Sequence, residues 1–273
     1  MEYIAGRSNL ACTIFVPYDC DNKCPFCTSK WIYRNSGIKM DVEEIIKTVN
    51  IVNKSRVISE FVITGGEPFA NIEVLKRIVD ACKKNVYINT TLPNQDIDKV
   101  IQYINTEDKI KGVNISRQFG KLNNLYKFIS GPEDILKLRK PIRINVLRTE
   151  DWLQNLDEFL NTWILNKHIL LNLRENYRYV TKENLKTRNE VVDYLANRFV
   201  YIGGGGCLVC NGETFVNPET DQFIHYHRGI EHSCVRYENR TYINDLIIRP
   251  DGKVFDDWDW NVELNEKTIT NIK

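Results

Sequence analysis

The chain has 273 residues, with 37 Lys and Arg against 36 Asp and Glu, a net charge of +1, 42% hydrophobic residues and eight cysteines. This composition excludes a disordered, collagen-like or coiled-coil chain. The near-neutral charge argues against a general nucleic-acid binder, which needs a basic surface.

No stretch approaches the roughly 18 uncharged apolar residues that a membrane span requires. Met1–Val16 carries Glu2 and Arg7 and lacks the apolar run of a signal peptide. We therefore expect a cytoplasmic protein, in which thiols stay reduced and cysteines serve as metal ligands, reactive thiols or small core residues.

β-rich runs alternate with segments of helical period along the first part of the chain. The predicted strands are Cys12–Pro17, Glu60–Thr64, Val86–Thr91, Gly112–Ser116, Ile142–Leu147 and His168–Leu173. The predicted helices are Asp41–Asn53, Asn71–Lys83, Asp96–Asn105 and Asp151–Leu165. This order predicts an α/β fold with parallel strands and right-handed crossovers. Six strand–helix units are too few to close an eight-stranded barrel, so a partial barrel and a doubly wound sheet both fit this pattern.

From about Phe199 the pattern changes to short alternating runs rich in Gly, Asn, Asp, Tyr and Trp, such as Tyr242–Arg249 and Lys253–Phe255. We expect two parts. Residues 1–198 form the α/β part, and residues 199–273 form a β-rich C-terminal extension that packs on it and shapes the substrate site.

Polar residues follow every predicted strand. Because parallel α/β folds bind ligands at the carboxyl ends of their strands, these residues are expected to share one site. The segments are Asp19–Cys27, Thr64–Pro68, Asn89–Pro93, Asn114–Gln118, Asn145–Thr149 and Asn172–Asn176.

The first of these segments has the spacing Cys20-x3-Cys24-x2-Cys27. Three thiolates on one loop can hold a 4Fe-4S cluster and leave one iron open to a chelating small molecule. A zinc site completed by a fourth ligand elsewhere also fits the Cys-x2-Cys pair. Structural cysteines with no metal are the third alternative.

The second segment contains Gly65-Gly66-Glu67-Pro68. Together with the cysteine loop it resembles the signature pair of the radical S-adenosylmethionine (SAM) superfamily, over roughly Cys12 to Leu173. The resemblance implies a partial (β/α)6 TIM-like barrel. It also implies a 4Fe-4S cluster on Cys20, Cys24 and Cys27, with SAM chelating the open iron.

The resemblance also assigns SAM contacts. Phe26 matches an apolar position whose backbone contacts the adenine. Gly65, Gly66 and Glu67 match the segment that meets the SAM amino group. The other residues expected at SAM are Thr91, Ser116, Arg117, Asn145 and Arg174.

The implied reaction begins with an electron from a reductant such as flavodoxin or ferredoxin. SAM is cleaved to methionine and a 5′-deoxyadenosyl radical, which removes a hydrogen atom from an unactivated C–H bond. No acid–base residue is assigned; Arg117, Glu175, His225 and Asp257 are candidates by their expected place at the rim.

The extension carries a second set of candidate residues, namely Cys207, Cys210, His225, His227, Arg228, His232 and Cys234. A second metal site, either zinc or an auxiliary iron–sulfur cluster, fits their spacing. Substrate contacts and surface strand residues are the alternatives. Asp256, Asp257 and Trp258 suit stacking and hydrogen bonding with a purine-like base, or an acidic surface.

The short extension and the lack of an evident peptide-recognition domain favour a small-molecule substrate, and the near-neutral charge argues against nucleic acid. The layout resembles compact radical SAM enzymes of the queuine-lyase kind, which implies a 7-deazapurine base such as queuine as substrate in a salvage lyase reaction. Radical modification of a ribosomally made peptide is the alternative reaction. A zinc-binding adaptor is the alternative without catalysis.

Overall fold

The computed structural model describes residues 2–6, 9–16, 20, 22, 24–27, 37–118, 129–148, 152–175, 184–204, 212–227, 234–258 and 262–273. The strands in these ranges are β1 (Glu2–Ala5), β2 (Leu10–Phe15), β3 (Ile58–Thr64), β4 (Asn85–Thr90), β5 (Ile110–Ser116), β6 (Ile142–Leu147), β7 (Ile169–Arg174), β8 (Val200–Gly204), β9 (Gly212–Val216), β10 (Phe223–His227), β11 (Cys234–Tyr237), β12 (Arg240–Ile243), β13 (Asp245–Ile248), β14 (Val254–Phe255) and β15 (Glu263–Leu264). The helices are α1 (Val42–Val52), α2 (Ile72–Ala81), α3 (Ile97–Thr106), α4 (Pro132–Ile135), α5 (Trp152–Trp163), α6 (Asn184–Arg198) and α7 (Glu266–Thr270), with a 3₁₀ turn at Pro68–Asn71.

Within the described residues, one twelve-stranded sheet has the order β15-β14-β13-β2-β3-β4-β5-β6-β7-β10-β9-β8. Strands β2 to β7 are parallel and lie in chain order. A doubly wound sheet would reverse its strand order at a switch point, so the chain order is that of a barrel. The α/β fold class with a partial TIM-like barrel is confirmed, and each predicted barrel strand matches an observed one within two residues.

The strands after residue 199 extend both edges of this sheet. β10 pairs in parallel with β7, and β13 pairs in parallel with β2. A separate three-stranded sheet joins the N-terminal β1 to β12 and β11. Six of the described C-terminal strands, β8 to β10 and β13 to β15, are therefore continuous with the barrel sheet. The division at residue 198 stays a prediction about the organisation of the chain.

The two faces of the barrel sheet differ in character. One face is apolar and buried beneath the helices, with Phe61, Ile88, Ile144 and Leu171 at or near zero exposure. Strand side chains alternate between faces, so their neighbours point to the opposite, inner face. There the residues that are not fully buried are mostly polar, and they include Glu60, Tyr87, Asn89, Asn114, Arg143, Asn145 and His225.

The first helix shows how local sequence places these layers. Asp41 caps α1 by accepting hydrogen bonds from the backbone N–H groups of Glu43 and Glu44 at 3.0 and 3.1 Å. Its face with Ile45 and Val49 then packs into the core. Across the described parts of the chain, we find no helix that combines the length and apolar character needed to cross a membrane.

Candidate active site

The Gly-Gly-Glu-Pro turn follows β3 and packs directly against the end of β2. Gly65 has φ +130°, and a Cβ there would lie 2.6 Å from the carbonyl oxygen of Val16. The Val16 N–H donates to the Thr64 carbonyl at 2.8 Å. Only glycine suits both this backbone conformation and this close approach. The turn is thereby held beside the segment that leads into the cysteine loop.

Glu67 joins the end of β3 to the end of β4. Its Oε1 accepts from the Thr90 hydroxyl at 2.6 Å and the Phe69 N–H at 3.2 Å. Its Oε2 accepts from the N–H and the hydroxyl of Thr91, both at 2.7 Å. Burial raises the pKa of Glu67, and the hydrogen bonds from Thr90 and Thr91 oppose that rise. The Glu67 carboxyl group therefore holds the carboxyl ends of β3 and β4 together at the rim of the barrel.

The cysteine loop is tied to the same group. Asn22 is buried, and its Nδ2 donates to the Thr91 hydroxyl at 3.4 Å. The Cys27 N–H donates to the Cys24 carbonyl at 3.3 Å. Burial raises the pKa of the Cys20 thiol. Contacts thus run from the cysteine loop through Thr91 to the glutamate of the turn.

A cavity of about 580 Å³ opens at this junction. Cys20, Asn22, Glu67 and Thr91 line one end of it, and it continues between α2 and α3. The cysteine loop and the Gly-Gly-Glu-Pro turn therefore border a common space. That space is large enough for a small-molecule ligand.

The donor set of the loop fits an iron–sulfur cluster better than one metal ion. The six described cysteines form no disulfide. Ligands of a single zinc ion lie about 4 Å apart, since each Zn–S bond is about 2.3 Å. In the described part of the chain, three ligand atoms within 4.8 Å of one another occur at Cys234, Asp256 and Asp257, and not at the cysteine loop. Thiolates that each bind a different iron of a cluster need no such convergence.

A polar row crosses the inner face near the carboxyl ends of the strands. Its members are opposite one another in register across β5, β6, β7, β10 and β9, and they are Ser116, Asn145, Asn172, His225 and Thr214. Asn172 Nδ2 donates to Asn145 Oδ1 at 2.6 Å. The Thr214 hydroxyl and His225 Nδ1 lie 2.9 Å apart. Two expected SAM-binding residues, Ser116 and Asn145, thus belong to one continuous row.

Arg117 is fully buried. Its guanidinium donates to the backbone carbonyls of Thr91 at 2.8 Å, Ser116 at 2.7 Å and Ser130 at 2.9 Å. It also lies over the Trp163 ring, 5.3 Å from the centroid. These contacts hold the strand ends together. That Arg117 meets SAM or acts as an acid–base group stays a prediction.

Glu175 is likewise engaged in a structural cluster. Its side chain has zero exposure and pairs with Arg148 at 3.1 Å. It also accepts from the Tyr226 hydroxyl. That Glu175 is a catalytic acid or base stays a prediction. Arg174, the preceding residue, is partly buried and lies opposite His227 in register.

The candidates in the C-terminal extension divide between two places. His225 and His227 lie on β10, with ring centroids 4.2 Å apart. Cys234 lies beside Asp256 and Asp257, where Arg236 Nη2 donates to both Asp256 oxygens at 2.9 Å. Trp258 packs edge-on against Phe15, with ring centroids 5.6 Å apart. The remaining candidates of the extension lie outside the described residues, and they are Cys207, Cys210, Arg228 and His232. In the cysteine loop, Phe26 is partly exposed.

The structure brings four residues to the site that the sequence pattern does not mark individually, namely Asn22, Thr90, Asn172 and Thr214. The first three lie within the polar segments at the strand ends, so that pattern was the available signal. It did not distinguish them from their polar neighbours. Thr214 had no such signal, because β9 pairs with a barrel strand only through β10.

A partial barrel with three thiols and a Gly-Gly-Glu-Pro turn at one rim defines a cofactor-dependent α/β barrel enzyme. The model of the Radical SAM superfamily matches residues 14–181. The chain belongs to this superfamily and is a radical SAM enzyme. Membership implies a 4Fe-4S cluster and SAM as cofactors.

Similar proteins share this fold at low sequence identity. The probable dual-specificity RNA methyltransferase RlmN of Caldicellulosiruptor saccharolyticus is 22% identical, over 93% of this chain and 74% of that protein. Streptococcus suis SuiB bound to SAM matches with a TM-score of 0.60 and 16% identity, over 94% of this chain and 63% of SuiB. Histidine-tagged anSMEcpe with bound SAM matches with a TM-score of 0.62 and 14% identity, over 97% of this chain and 81% of anSMEcpe. The chain therefore spans less than two thirds of SuiB.

Proposed function

We propose that Cys20, Cys24 and Cys27 hold the cluster and that SAM binds beside them at the strand ends. The observation that carries this proposal is the contact between Gly65 and Val16, which places the Gly-Gly-Glu-Pro turn against the approach to the cysteine loop. A ligand that binds one segment is then within reach of the other.

We assign the SAM contacts from this geometry. The backbone carbonyl oxygens of Gly65 and Gly66 accept hydrogen bonds from the SAM ammonium group. The charge of Glu67 favours that ammonium, although four donors already occupy the Glu67 oxygens. Ser116 and Asn145 contact the SAM ribose or carboxylate from the polar row, and the Phe26 backbone contacts the adenine. Thr91 orients Glu67 by donating hydrogen bonds to its carboxyl group. Arg174 lies on β7, two residues beyond Asn172 of the polar row.

When bound, the cluster and SAM supply a 5′-deoxyadenosyl radical by one-electron reductive cleavage, with an electron from a flavodoxin or ferredoxin. The residues of the barrel hold the substrate at the inner face, next to the SAM-binding strand ends. They also exclude water from the reacting atoms. We place this reaction in the cytoplasm, where the thiols stay reduced.

For the substrate we propose a small molecule, with 7-deazapurine bases such as queuine as the first compounds to test. The polar row of amide, hydroxyl and imidazole groups on the inner face supports this choice. A peptide is the second candidate, because SuiB, a fold neighbour, has also been solved bound to the precursor peptide SuiA. RNA is the substrate named for RlmN, and it serves as a third compound class in the same assay.

The test is SAM cleavage by the anaerobically reconstituted, dithionite-reduced protein, measured as 5′-deoxyadenosine. We expect the wild-type chain to form it and Cys24→Ala to form none. Cys82→Ala is the matched control, since Cys82 is buried in the core and its thiol donates to the Ile78 carbonyl at 3.3 Å. Cleavage by Cys24→Ala at the rate of Cys82→Ala would refute the assignment of the cluster ligands.

A further inference from the structure

Asn172 carries a buried polar atom that the protein leaves without a partner. The residue is 2% exposed, and its Nδ2 is used by Asn145. Its Oδ1 has no hydrogen-bond partner among the described residues. A buried carbonyl in this state is unfavourable, so it calls for a bound partner such as a water, an ion or a ligand.

His225 presents a second such atom on the neighbouring strand. Its Nδ1 is hydrogen-bonded to the Thr214 hydroxyl. Its Nε2 is buried and has no hydrogen-bond partner among the described residues. Asn172 and His225 are directly opposite in the parallel pairing of β7 with β10. Their side chains therefore lie side by side on the inner face, about 4.8 Å apart at the backbone.

The partner at Nδ1 decides what His225 Nε2 can offer a ligand. Burial, together with the charge of Arg143, holds the pKa of His225 below its usual range. If the Thr214 hydroxyl donates to Nδ1, then Nε2 carries the proton and becomes a donor. The two atoms together then offer one acceptor, Asn172 Oδ1, beside one donor, His225 Nε2–H.

We propose that Asn172 Oδ1 and His225 Nε2 bind the lactam edge of a heterocyclic base, whose ring N–H donates to Asn172 and whose carbonyl accepts from His225. This inference rests on the proposed function and names the substrate class for that same site. Both atoms are shielded in the structure, so the base must displace a neighbouring side chain. His227, whose ring lies 4.2 Å from that of His225, is the neighbour on the same strand.

The experiment measures binding of 7-deazaguanine and 1-methyl-7-deazaguanine to the reconstituted enzyme with SAM, by anaerobic equilibrium dialysis. The methyl group replaces the hydrogen of the lactam N–H (N1) and leaves the lactam carbonyl. We expect wild type to bind 7-deazaguanine at least about tenfold more tightly than the methylated base. Equal affinity for the two bases, or no binding of either, would overturn the proposal.

Variants locate the site. We expect Asn172→Leu and His225→Phe each to weaken binding of 7-deazaguanine about tenfold or more. His225→Gln, which retains a donor, should recover part of the loss. His168→Phe is the matched control, because His168 is exposed in the turn before β7, and it should bind like wild type. Wild-type affinity in Asn172→Leu and His225→Phe would show that the base binds elsewhere.

Two readouts keep the outcomes separate. Cluster absorbance and circular dichroism report whether each variant folds; if Asn172→Leu does not, the comparison of the two bases on wild type and on His225→Gln decides the question. Formation of 5′-deoxyadenosine without any base reports the proposed function. Wild type that cleaves SAM but binds neither base contradicts this inference alone, whereas wild type that cannot cleave SAM contradicts the proposed function.

Discussion

At the scale of single residues, Gly65 sets the distance between the two segments proposed to bind cofactors. We expect Gly65→Ala to lower the free energy of unfolding by about 2–5 kcal/mol, from backbone strain together with the clash at Val16. Gly203 is the matched control, because it has a similar φ of +136° but nothing within 4 Å of a built Cβ. Gly203→Ala should lose only the strain, about 1–3 kcal/mol. If urea unfolding shows that both variants lose the same free energy of unfolding, the contact with Val16 adds nothing to the cost of a side chain at Gly65.

Arg117 gives a second prediction at this scale. Lysine cannot reproduce the planar, multiple donation of a guanidinium, so Arg117→Lys should destabilise the fold by about 2–4 kcal/mol. Arg77→Lys is the control, because Arg77 is about half exposed and pairs with the exposed Glu43. We expect it to change stability by less than about 1 kcal/mol. A similar small loss for Arg117→Lys in chemical denaturation would refute the scaffold role.

The sequence indicated some residue roles and not others. The cysteine spacing and the Gly-Gly-Glu-Pro turn stand out because their chemistry depends on residue type at fixed spacing. Arg117 looked like a ligand contact because it ends a strand, yet its partners Thr91 and Ser130 are distant in the chain. Nothing local in a sequence shows that an arginine will bind carbonyls brought together only by folding.

At the scale of elements, the buried cluster of Arg148, Glu175 and Tyr226 joins the ends of β6, β7 and β10. Glu175→Leu leaves the Arg148 charge buried without this partner, so we expect a loss of about 3–5 kcal/mol. The double variant Arg148→Met with Glu175→Leu should lose less than Glu175→Leu alone. A double-mutant cycle by thermal unfolding measures this, and additive losses would contradict the coupling.

The barrel strands and their bounds were predictable because alternation of strand and helix is a local pattern. The positions of the C-terminal strands were not. β13 lies beside β2, and Thr13 donates to Asp245 at 2.8 Å across 232 positions of sequence. Local periodicity identifies a strand but not its neighbour, so the β-rich character of the extension was predictable and its place on both sheet edges was not.

At the scale of the whole molecule, the sheet carries the proposed SAM site and the proposed base site on one inner face. SAM residues come from β5 and β6, and base residues come from β7 and β10, which lie next to them in the sheet. This order predicts that SAM and the base bind cooperatively. We expect the affinity for 7-deazaguanine to fall at least about threefold when SAM is omitted from the dialysis; equal affinity with and without SAM would contradict adjacent sites.

The central claim is that three thiols of this chain hold a 4Fe-4S cluster with one iron open to SAM. Electron paramagnetic resonance of the dithionite-reduced, reconstituted protein tests it most directly, before and after SAM is added. The account predicts a reduced 4Fe-4S signal that changes its g-values on addition of SAM, with roughly four irons and four sulfides per chain. A protein that holds zinc without iron, or a cluster signal that SAM leaves unchanged, would contradict it.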